Sequence, residues 1–358
     1  MKFGVVLTSR IGDYEIAREA EVLGYDSLWY GDAPMLWSDC YAAMALAAKV
    51  TTRIRLGTGV TTPSTRVAPV TAHSIASINQ VAPGRVFLGI GVGDIGVRLQ
   101  GQEPMRLREF EEYLRVVRAL LRGEEVDYTQ EGETHSIRML NRGLGFQDLE
   151  HPIPIYLGAN GPRALRLAGR CADGFVSSLG EDADSLRPRI ALAEEGARAS
   201  GRTLGADFHP SVVSNAIVLR AGEKLTDERI IEGTSTWVTT MMNWGYGAYA
   251  RSGDEAQVPE FMHGVWEEFR DYVESSESRS ELRYRESHEG YGSFCSRERR
   301  RFVTPEVIRA CSLVAGASEI AEMLRASGAA GLREVSFSWP MALQVELMRD
   351  FAQVMKRL

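Results

Sequence analysis

The sequence predicts an α/β protein of the (β/α)₈ barrel class, and three observations support this prediction. Eight short apolar segments have the length and composition of buried strands. Each is followed by an amphipathic stretch with helical periodicity or by a helical insertion. The alternation indicates parallel strands with crossover helices, because parallel neighbours need a long connection. Eight is the strand count of a closed barrel, and a doubly wound open sheet is the main alternative.

The first third of the chain alternates strands and helices regularly. The stretch from Arg55 to Val60 has the glycine and β-branched content of a short buried strand, and Pro63 and Pro69 close this segment and open the next helix. On the same criteria, strands are predicted over 3–7, 27–30, 54–60 and 85–91, and helices over 14–23, 41–50 and 69–81.

The alternation loosens after residue 91 and later resumes. A predicted helix over 104–121 precedes the polar stretch 123–140, whose alternation predicts a small hairpin. Further strands are predicted over 153–159, 173–178, 211–220 and 334–340, and further helices over 161–172, 183–200 and 343–358.

Residues 221–316 interrupt the pattern. This stretch is rich in Trp, Tyr, Met and Glu–Arg pairs, and we expect an ordered, largely helical insertion between the seventh and eighth strands. Active sites of barrels lie on the side of such connections, so the insertion is predicted to lie over the barrel mouth. The whole chain, 1–358, is expected to form a single barrel domain that carries it.

Composition and charge limit the class of protein. With 358 residues, 44% hydrophobic and 25% charged, the chain is typical of a globular enzyme with a large core. A formal net charge of -7 argues against nucleic-acid binding, because phosphate backbones attract basic surfaces. There is neither an apolar run of about 18 residues, as a membrane helix requires, nor a signal-peptide pattern. Four cysteines without C-x-x-C spacing fit a reducing cytoplasm, where we expect the protein.

Glycine recurs at four of the predicted strand ends, where barrels place their active sites. Glycines there let a flat ligand or a phosphate approach the backbone without meeting a Cβ, which favours a large planar cofactor, although loops also contain glycine for other reasons. Asp32 and Asp94 each follow such a glycine, and either could bind a cofactor ring, donate a proton or simply cap a helix. The histidines show no metal-ligand spacing, so no metal site is predicted.

The segment GANGPR, residues 158–163, follows a predicted strand and opens a helix. Amide groups near Asn160, Gly161 and Arg163 would form the positive end of a helix dipole, and Arg163 adds a full charge. The segment therefore predicts an anion site, with ordinary helix initiation as the alternative. The three-glycine spacing of dinucleotide sites and the lysine of triphosphate sites are both missing.

Five segments together resemble the bacterial luciferase-like flavin and deazaflavin oxidoreductases: FGVVLTSR, GYDSLWYGDA, RIRLGTGVTTPSTRVAPV, PGRVFLGIGVGD and IPIYLGANGPRALRLAGRCADGFVSS. The resemblance spans 1 to about 200, lapses over the insertion and resumes at SGAAGLREVSFS. The chain looks most like the branch that uses the deazaflavin coenzyme F420, typified by methylenetetrahydromethanopterin reductase and the F420-dependent glucose-6-phosphate dehydrogenases. This resemblance implies a barrel that holds the ring in its C-terminal mouth, and a homodimer formed through helices of the N-terminal half.

The resemblance also implies roles for individual residues. In the family, a non-prolyl cis peptide at the end of the third strand backs the cofactor ring, and the matching bond joins Gly59 to Val60. Asp32 would lie near the ring and Asp94 near the reactive centre, which makes them the catalytic candidates. The implied cofactor-binding residues are Gly59, Val60, Gly91, Val92, Gly93, Gly158, Ala159, Asn160, Gly161 and Arg163.

The chain departs from the sugar-phosphate dehydrogenases at two positions. It has Ala33 where they have a histidine, which puts glucose-6-phosphate oxidation in doubt, and it has Asp94, shorter by one methylene, where they have a glutamate. Trp37, with Trp244 and Tyr246 of the insertion, is expected to line a pocket for a bulky apolar or aromatic substrate. Ordinary packing of an inserted helix is the alternative for the latter two.

The predicted function is hydride transfer between F420 and an organic small molecule, with Asp32 or Asp94 handling the proton. An FMN-dependent monooxygenase with the same fold is the first alternative, although the NGPRALRLAG loop resembles the deazaflavin branch more closely. A non-catalytic flavin-binding barrel is the second alternative. Loss of the carboxylates at the strand ends would favour it, but both are present.

Overall fold

The computed structural model describes residues 1–178, 181–276, 285 and 288–358. Its strands, numbered along the chain, are β1 (Lys2–Leu7), β2 (Ser27–Tyr30), β3 (Arg55–Thr58), β4 (Val86–Ile90), β5 (Val126–Gln130), β6 (Glu133–Ile137), β7 (Ile155–Gly158), β8 (Gly174–Ser178), β9 (His209–Ser214), β10 (Ala216–Val218), β11 (Leu313–Ala315) and β12 (Glu334–Ser338).

Helices connect most of these strands. They are α1 (Ile16–Leu23), α2 (Cys40–Val50), α3 (Ala68–Val81), α4 (Ile95–Arg98), α5 (Leu107–Leu121), α6 (Pro162–Cys171), α7 (Ala183–Ala199), α8 (Glu228–Ser252), α9 (Trp266–Ser276), α10 (Pro305–Cys311), α11 (Ala317–Ala329) and α12 (Gln344–Met355). None of the described helices is both long and apolar enough to cross a membrane.

Eight strands close into a barrel in the order β1, β2, β3, β4, β7, β8, β9 and β12. The pairs from β1 to β4, β4 with β7, and β7 to β9 are parallel. The predicted (β/α)₈ class is therefore confirmed, and the open-sheet alternative is excluded. The predicted hairpin is also present, because β5 pairs with β6 in antiparallel register from Val126–Ile137 to Gln130–Glu133.

The chain divides into two compact units, one of Met1–Val213 with Ala326–Ser336 and one of Ser214–Arg325 with Phe337–Leu358. The first unit contains the barrel strands, except for the last residues of β9 and β12. Aromatic side chains fill its interior, with Trp29 and Phe87 buried against Tyr156. Their ring centroids lie 4.5 Å apart for the first pair and 5.5 Å for Phe87 with Tyr156.

A fully buried carboxylate, that of Glu334, lies among these rings in the first unit. It accepts hydrogen bonds from Ser27 Oγ at 2.5 Å and from Trp29 Nε1 at 2.6 Å, and its other oxygen lies 3.0 Å from His209 Nε2. Because buried charges cost free energy unless they are paired and hydrogen-bonded, this network allows a carboxylate inside the barrel.

One sequence expectation about the connection after β9 is corrected. The predicted strand 211–220 is two strands, β9 and β10, which separate at Asn215. In the second unit, Asn215 Nδ2 donates to the carbonyls of Ser338, at 2.8 Å, and Gly233, at 3.2 Å. These bonds hold the chain at the break, and the strand that follows pairs with β11 outside the barrel.

The predicted insertion lies between the seventh and eighth barrel strands, and its described residues are largely helical. Besides α8, α9 and α10 it contains β11, which pairs in parallel with β10. Positions 277–284 and 286–287 of this predicted segment lie outside the described residues. That the insertion lies over the barrel mouth stays a prediction.

Candidate active site

Val60, Gly91 and Gly158 lie together at the carboxyl ends of β3, β4 and β7, and the surface they form is called the floor below. This end of the barrel is called the barrel mouth. A Cβ placed on Gly91 would lie 3.3 Å from Val60 Cγ2, and one placed on Gly158 would lie 3.5 Å from both Val60 Cγ2 and Gly91 Cα. A side chain at either glycine would contact Val60 and would project from the floor. The structure thus brings three predicted cofactor residues together.

The chain that follows β3 is fixed to β4. The bond between Gly59 and Val60 is a cis peptide, as predicted. Thr61 then donates its amide to the Gly89 carbonyl at 2.9 Å, and its own carbonyl accepts from the Gly91 amide at 3.0 Å. A Cβ on Gly59 would lie only 2.6 Å from Trp29 Cβ, so a glycine is required there for close packing.

Asp32 follows β2 and is held by two donors. Its side chain is 2% exposed, and its Oδ2 accepts from Thr61 Oγ1 and from a terminal nitrogen of Arg66, each at 2.6 Å. The other terminal nitrogen of Arg66 donates to Asp39 Oδ2, also at 2.6 Å. Asp32 is therefore part of a buried ionic network rather than a solvated helix cap.

Two of the groups around Asp32, Arg66 and Cys40, have raised pKa values. Burial by itself would lower the pKa of Arg66. The Asp32 carboxylate and other neighbours have the opposite and larger combined effect, so the pKa lies well above its usual value. Burial raises the pKa of the Cys40 thiol, and the charge of Asp32 adds to this effect. Arg66 therefore stays charged, and Cys40, which lies at the start of α2, stays a neutral thiol.

Asp94 has a different environment. It precedes α4, makes no capping hydrogen bond within the described residues, and its side chain is 56% exposed. Its Oδ1 accepts from Arg98 Nε at 2.9 Å. Helix α4 packs closely on the loop of Asp32 at Gly96. A Cβ on Gly96 would lie only 3.0 Å from Ala33 Cα, so the absence of a side chain allows this approach. The two predicted catalytic carboxylates therefore lie on adjacent loops, one buried and one exposed.

The residues just before Asp94 pack on the loop after β3. Gly93 has a φ of 94°, and a Cβ on it would lie 2.9 Å from Thr62 Oγ1. This left-handed conformation and close approach both require glycine. Val92 is half-buried, and its carbonyl accepts from the Met105 amide at 3.1 Å. Val92 and Gly93 therefore lie between the floor and Asp94.

The predicted anion site is the start of α6. Gly161 is its N-cap residue and Pro162 its first residue. Asn160 Oδ1 accepts from the Ser178 amide at 2.8 Å, and the Ala159 carbonyl accepts from Ser177 Oγ at 2.5 Å, so both residues are tied to β8. No described atom lies within 4 Å of a Cβ placed on Gly161.

Arg163 completes this site. It is exposed and makes neither a hydrogen bond nor an ion pair through its side chain to any described residue. An open helix N-terminus next to an unpaired guanidinium has the chemistry that binds a phosphate or carboxylate group. Because the loop begins with Gly158, the anion site adjoins the floor.

The predicted substrate residues fall in both units. In the first, the ring of Trp37 packs on the backbone of Gly31, next to Asp32, so that a Cβ on Gly31 would overlap the ring. In the second, Trp244 is 53% exposed on α8. Tyr246 lies among aromatic rings of the same unit, with centroid distances of 6.2 Å to Tyr249 and 6.3 Å to Trp266, as in ordinary helix packing.

Arg66, Asp39 and Thr61 were not among the residues predicted from sequence. Arg66 and Thr61 lie in the stretch RLGTGVTTPSTRVAPV. This stretch predicts a strand, the start of a helix and a family resemblance, but no ionic network. Asp39 is the N-cap of α2, where its other oxygen, Oδ1, accepts from the Ala42 amide at 2.9 Å. A local helix-cap pattern could have identified Asp39, but no spacing links it to Arg66.

Curated proteins with related sequences are oxidoreductases by name. The F420-dependent glucose-6-phosphate dehydrogenase of Kineococcus radiotolerans is 35% identical over 206 residues, covering 53% of this chain and 59% of the relative. The 5,10-methylenetetrahydromethanopterin reductase of Methanolobus tindarius is 34% identical over 190 residues, covering 52% of this chain and 55% of the relative. The chain thus matches less than two thirds of the length of these two relatives.

Solved structures share the fold over nearly the whole chain. The coenzyme F420 dependent tetrahydromethanopterin reductase from Methanopyrus kandleri has a TM-score of 0.71 at 19% identity, covering 98% of this chain and 97% of the other. The oxygenating constituent of 3,6-diketocamphane monooxygenase from Pseudomonas putida has a TM-score of 0.62 at 15% identity, with 99% and 97% coverage. Residues 1–334, which include the floor, both carboxylates and the anion site, match the luciferase-like monooxygenase family, so the chain belongs to that family.

Proposed function

We propose that this protein is an F420-dependent oxidoreductase that transfers a hydride between the deazaflavin coenzyme and an organic small molecule. The floor of Val60, Gly91 and Gly158, flanked by the anion site, is the observation that carries this proposal. The two glycines place no Cβ on this surface, so a planar ring could lie on it, and a phosphate group could bind at the start of α6. When bound, the coenzyme would supply the ring carbon that accepts or releases the hydride.

The chain's own residues would bind and orient that ring. Val60 and the two floor glycines would cover one face and exclude water from it, which leaves the opposite face to the substrate. Gly161 and Arg163 would hold the phosphate. Gly59, Val92, Gly93, Ala159 and Asn160 complete the proposed set of cofactor residues.

The two carboxylates would have different tasks. Oδ2 of Asp32 already accepts from a guanidinium and a hydroxyl, so this residue would act as a fixed anion that accepts hydrogen bonds near the ring. Oδ2 of Asp94 has no partner among the described residues, and its side chain reaches solvent. We therefore assign to Asp94 the uptake or release of the proton that accompanies hydride transfer.

FMN-dependent monooxygenation is the second candidate function. The family to which the chain belongs is named for monooxygenases, and one structure with this fold was solved with FMN. The names of the curated relatives favour F420, as does the secondary alcohol dehydrogenase solved with an F420–acetone adduct, which has a TM-score of 0.69 at 18% identity. The two carboxylates argue against a barrel that binds the cofactor without turnover.

A homodimer is part of the proposal, as is a cytoplasmic location. Leu46 of α2 and Val70 and Val81 of α3 are large apolar side chains that are exposed on the first unit. Exposed apolar side chains on neighbouring helices are typical of an interface between copies of a chain.

Binding of the two cofactors tests the proposed function. Purified protein is titrated with F420 and, separately, with FMN, and binding is followed by fluorescence. We expect micromolar or tighter binding of F420 and weaker binding of FMN. The reverse order would support the monooxygenase, and no binding of either would contradict both functions.

A carboxylate placed at the anion site tests where the phosphate binds. Gly161→Asp is expected to weaken F420 binding about tenfold, because the added charge repels phosphate at the start of α6. Gly316→Asp is the matched control, since Gly316 also directly precedes a helix and no described atom lies within 4 Å of its Cβ position. Equal loss in both variants would contradict the assignment.

A further inference from the structure

We infer that Arg66 is a positioning residue that holds Asp32 as a fixed anion at the barrel mouth and thereby sets how Asp32 meets the coenzyme. The inference rests on the proposed function, because Asp32 is assigned there to the ring. It concerns a residue that belongs to neither the floor nor the anion site. Its role would be exerted through the carboxylate alone.

The guanidinium of Arg66 joins a buried carboxylate to an exposed one. One terminal nitrogen lies 2.6 Å from Asp32 Oδ2, and the other lies 2.6 Å from Asp39 Oδ2. The side chains of Asp32 and Asp39 are 2% and 52% exposed, so the arginine reaches from the surface into the network. A planar fork with two terminal nitrogens can engage both carboxylates, which the single ammonium of a lysine cannot do in the same geometry.

Arg66 is itself held at both ends. Its guanidinium carbon lies 4.6 Å above the ring centroid of Tyr41, which places α2 beneath it. Its backbone carbonyl accepts from the Tyr113 hydroxyl of α5 at 2.8 Å, and that hydroxyl also lies 2.6 Å from Thr71 Oγ1 of α3. Three helices therefore fix the arginine, which in turn fixes Asp32.

Removing Arg66 would leave the Asp32 carboxylate buried, with the Thr61 hydroxyl and the Cys40 thiol as neutral hydrogen-bond partners. An uncompensated buried charge is costly, so the carboxylate would take up a proton or shift position. A protonated Asp32 would donate a hydrogen bond where the anion accepts one. Coenzyme binding by the variant would then depend on pH more strongly than binding by the wild-type protein.

Four of the groups around Asp32 have a pKa above its usual value. The titratable and charged groups that face it are Arg66, Asp39, Cys40, Tyr41 and Tyr113. Burial raises the pKa of the thiol and of both phenols, and burial together with the neighbouring carboxylates leaves the pKa of the guanidinium above its usual value. A pH dependence of coenzyme affinity that appears on removal of Arg66 would therefore come from the carboxylates that Arg66 pairs with, and not from these four groups.

A stability cycle on the protein without coenzyme tests the link directly. The denaturation midpoint is measured for Arg66→Gln, Asp32→Asn and the double variant. We expect Arg66→Gln to lower the midpoint, and Asp32→Asn to restore part of that loss when the two are combined, because the buried charge is then absent. Strictly additive losses would mean that Arg66 acts through packing on Tyr41, and would overturn the inference.

Coenzyme titrations at pH 6, 7 and 8 test the functional consequence. We expect Arg66→Gln to bind F420 about tenfold more weakly at pH 6, with a smaller loss at pH 8, and Arg66→Lys to recover part of the affinity. Arg118→Gln is the control, since it removes a partly buried ion pair to Asp173, 2.9 Å long, on the residue before β8. It should lower stability without changing the affinity or its pH dependence.

The outcomes separate this inference from the proposed function. Wild-type affinity at all three pH values in Arg66→Gln would overturn the positioning role while the proposed function stands. If the wild-type protein fails to bind F420, the proposed function fails, and the stability cycle still decides whether Arg66 holds the charge of Asp32.

Discussion

Glu334 is a single residue whose charge state contributes to folding. Burial raises the pKa of its carboxyl group, but the hydrogen bonds and charge of His209, with Ser27 and Arg55, bring it to about 2, below the ordinary value of 4.5. Because the folded-state pKa is the lower one, the stabilisation is complete above pH 4.5. It is lost as the pH falls from 4.5 to about 2.

A neutral substitution at this residue tests that linkage. Glu334→Gln should lower the free energy of unfolding by about 2 kcal/mol at pH 7 and flatten its decline between pH 4.5 and 2. Urea denaturation at several pH values measures both effects. Glu133→Gln, at an exposed position of β6, is the control and should match the wild-type curve. An unchanged acid profile in Glu334→Gln would contradict the linkage.

Helices α6 and α7 are elements that touch through glycine. A Cβ on Gly169 would overlap the Ala193 carbonyl, and a Cβ on Gly196 would overlap the Arg166 carbonyl. The two helices therefore approach each other as closely as their backbones allow. This contact fixes α6, and with it the anion site at the start of that helix.

A methyl group added at this contact should separate the helices. Gly196→Ala is expected to destabilise the protein by about 1–3 kcal/mol, although alanine is the better helix former by about 1 kcal/mol. Gly247→Ala in α8 is the matched control, because its Cβ would approach only the mobile end of the Arg251 side chain. It should be neutral or stabilising in the same thermal denaturation assay. A similar change in both variants would show that the α6–α7 contact tolerates the methyl group.

The whole molecule is expected to be a dimer, and a charge on α3 tests this. Val70→Glu should shift the mass measured by light scattering from two chains toward one, because the charge would be buried at the interface. Met323→Glu on α11 is the control at matched exposure, 45% against 46% for Val70. A wild-type protein that is monomeric at micromolar concentration would contradict the proposal.

The fold could be predicted from the sequence because its signals are local. Ser27–Tyr30 agrees with its predicted bounds, and the other predicted barrel strands begin and end within two residues of theirs, apart from the segment that divides at Asn215. The cis peptide at Gly59 was identified through family resemblance. These features depend on apolar periodicity, on glycine and proline, and on short motifs. Each of these signals lies within a short stretch of the sequence.

Features that depend on contacts between distant segments could not be predicted. The break at Asn215 is held by hydrogen bonds to Gly233 and Ser338, and the network of Asp32 depends on Arg66, which lies beyond the end of the next strand. In the sequence, nothing distinguishes Glu334 from an ordinary strand residue, because its partners His209 and Ser27 are distant along the chain. A single sequence carries no information on which of many polar residues meet in this way.

The floor of Val60, Gly91 and Gly158 has a stereochemical consequence. A coenzyme ring lying on it would present only one prochiral face to any substrate, whatever the shape of the rest of the pocket. Every substrate of this protein would then exchange hydrogen with the same face, so a deuterium label placed there by one substrate would be handed on to the next. Stereospecificity would thus come from the barrel, and substrate choice from the loops around it.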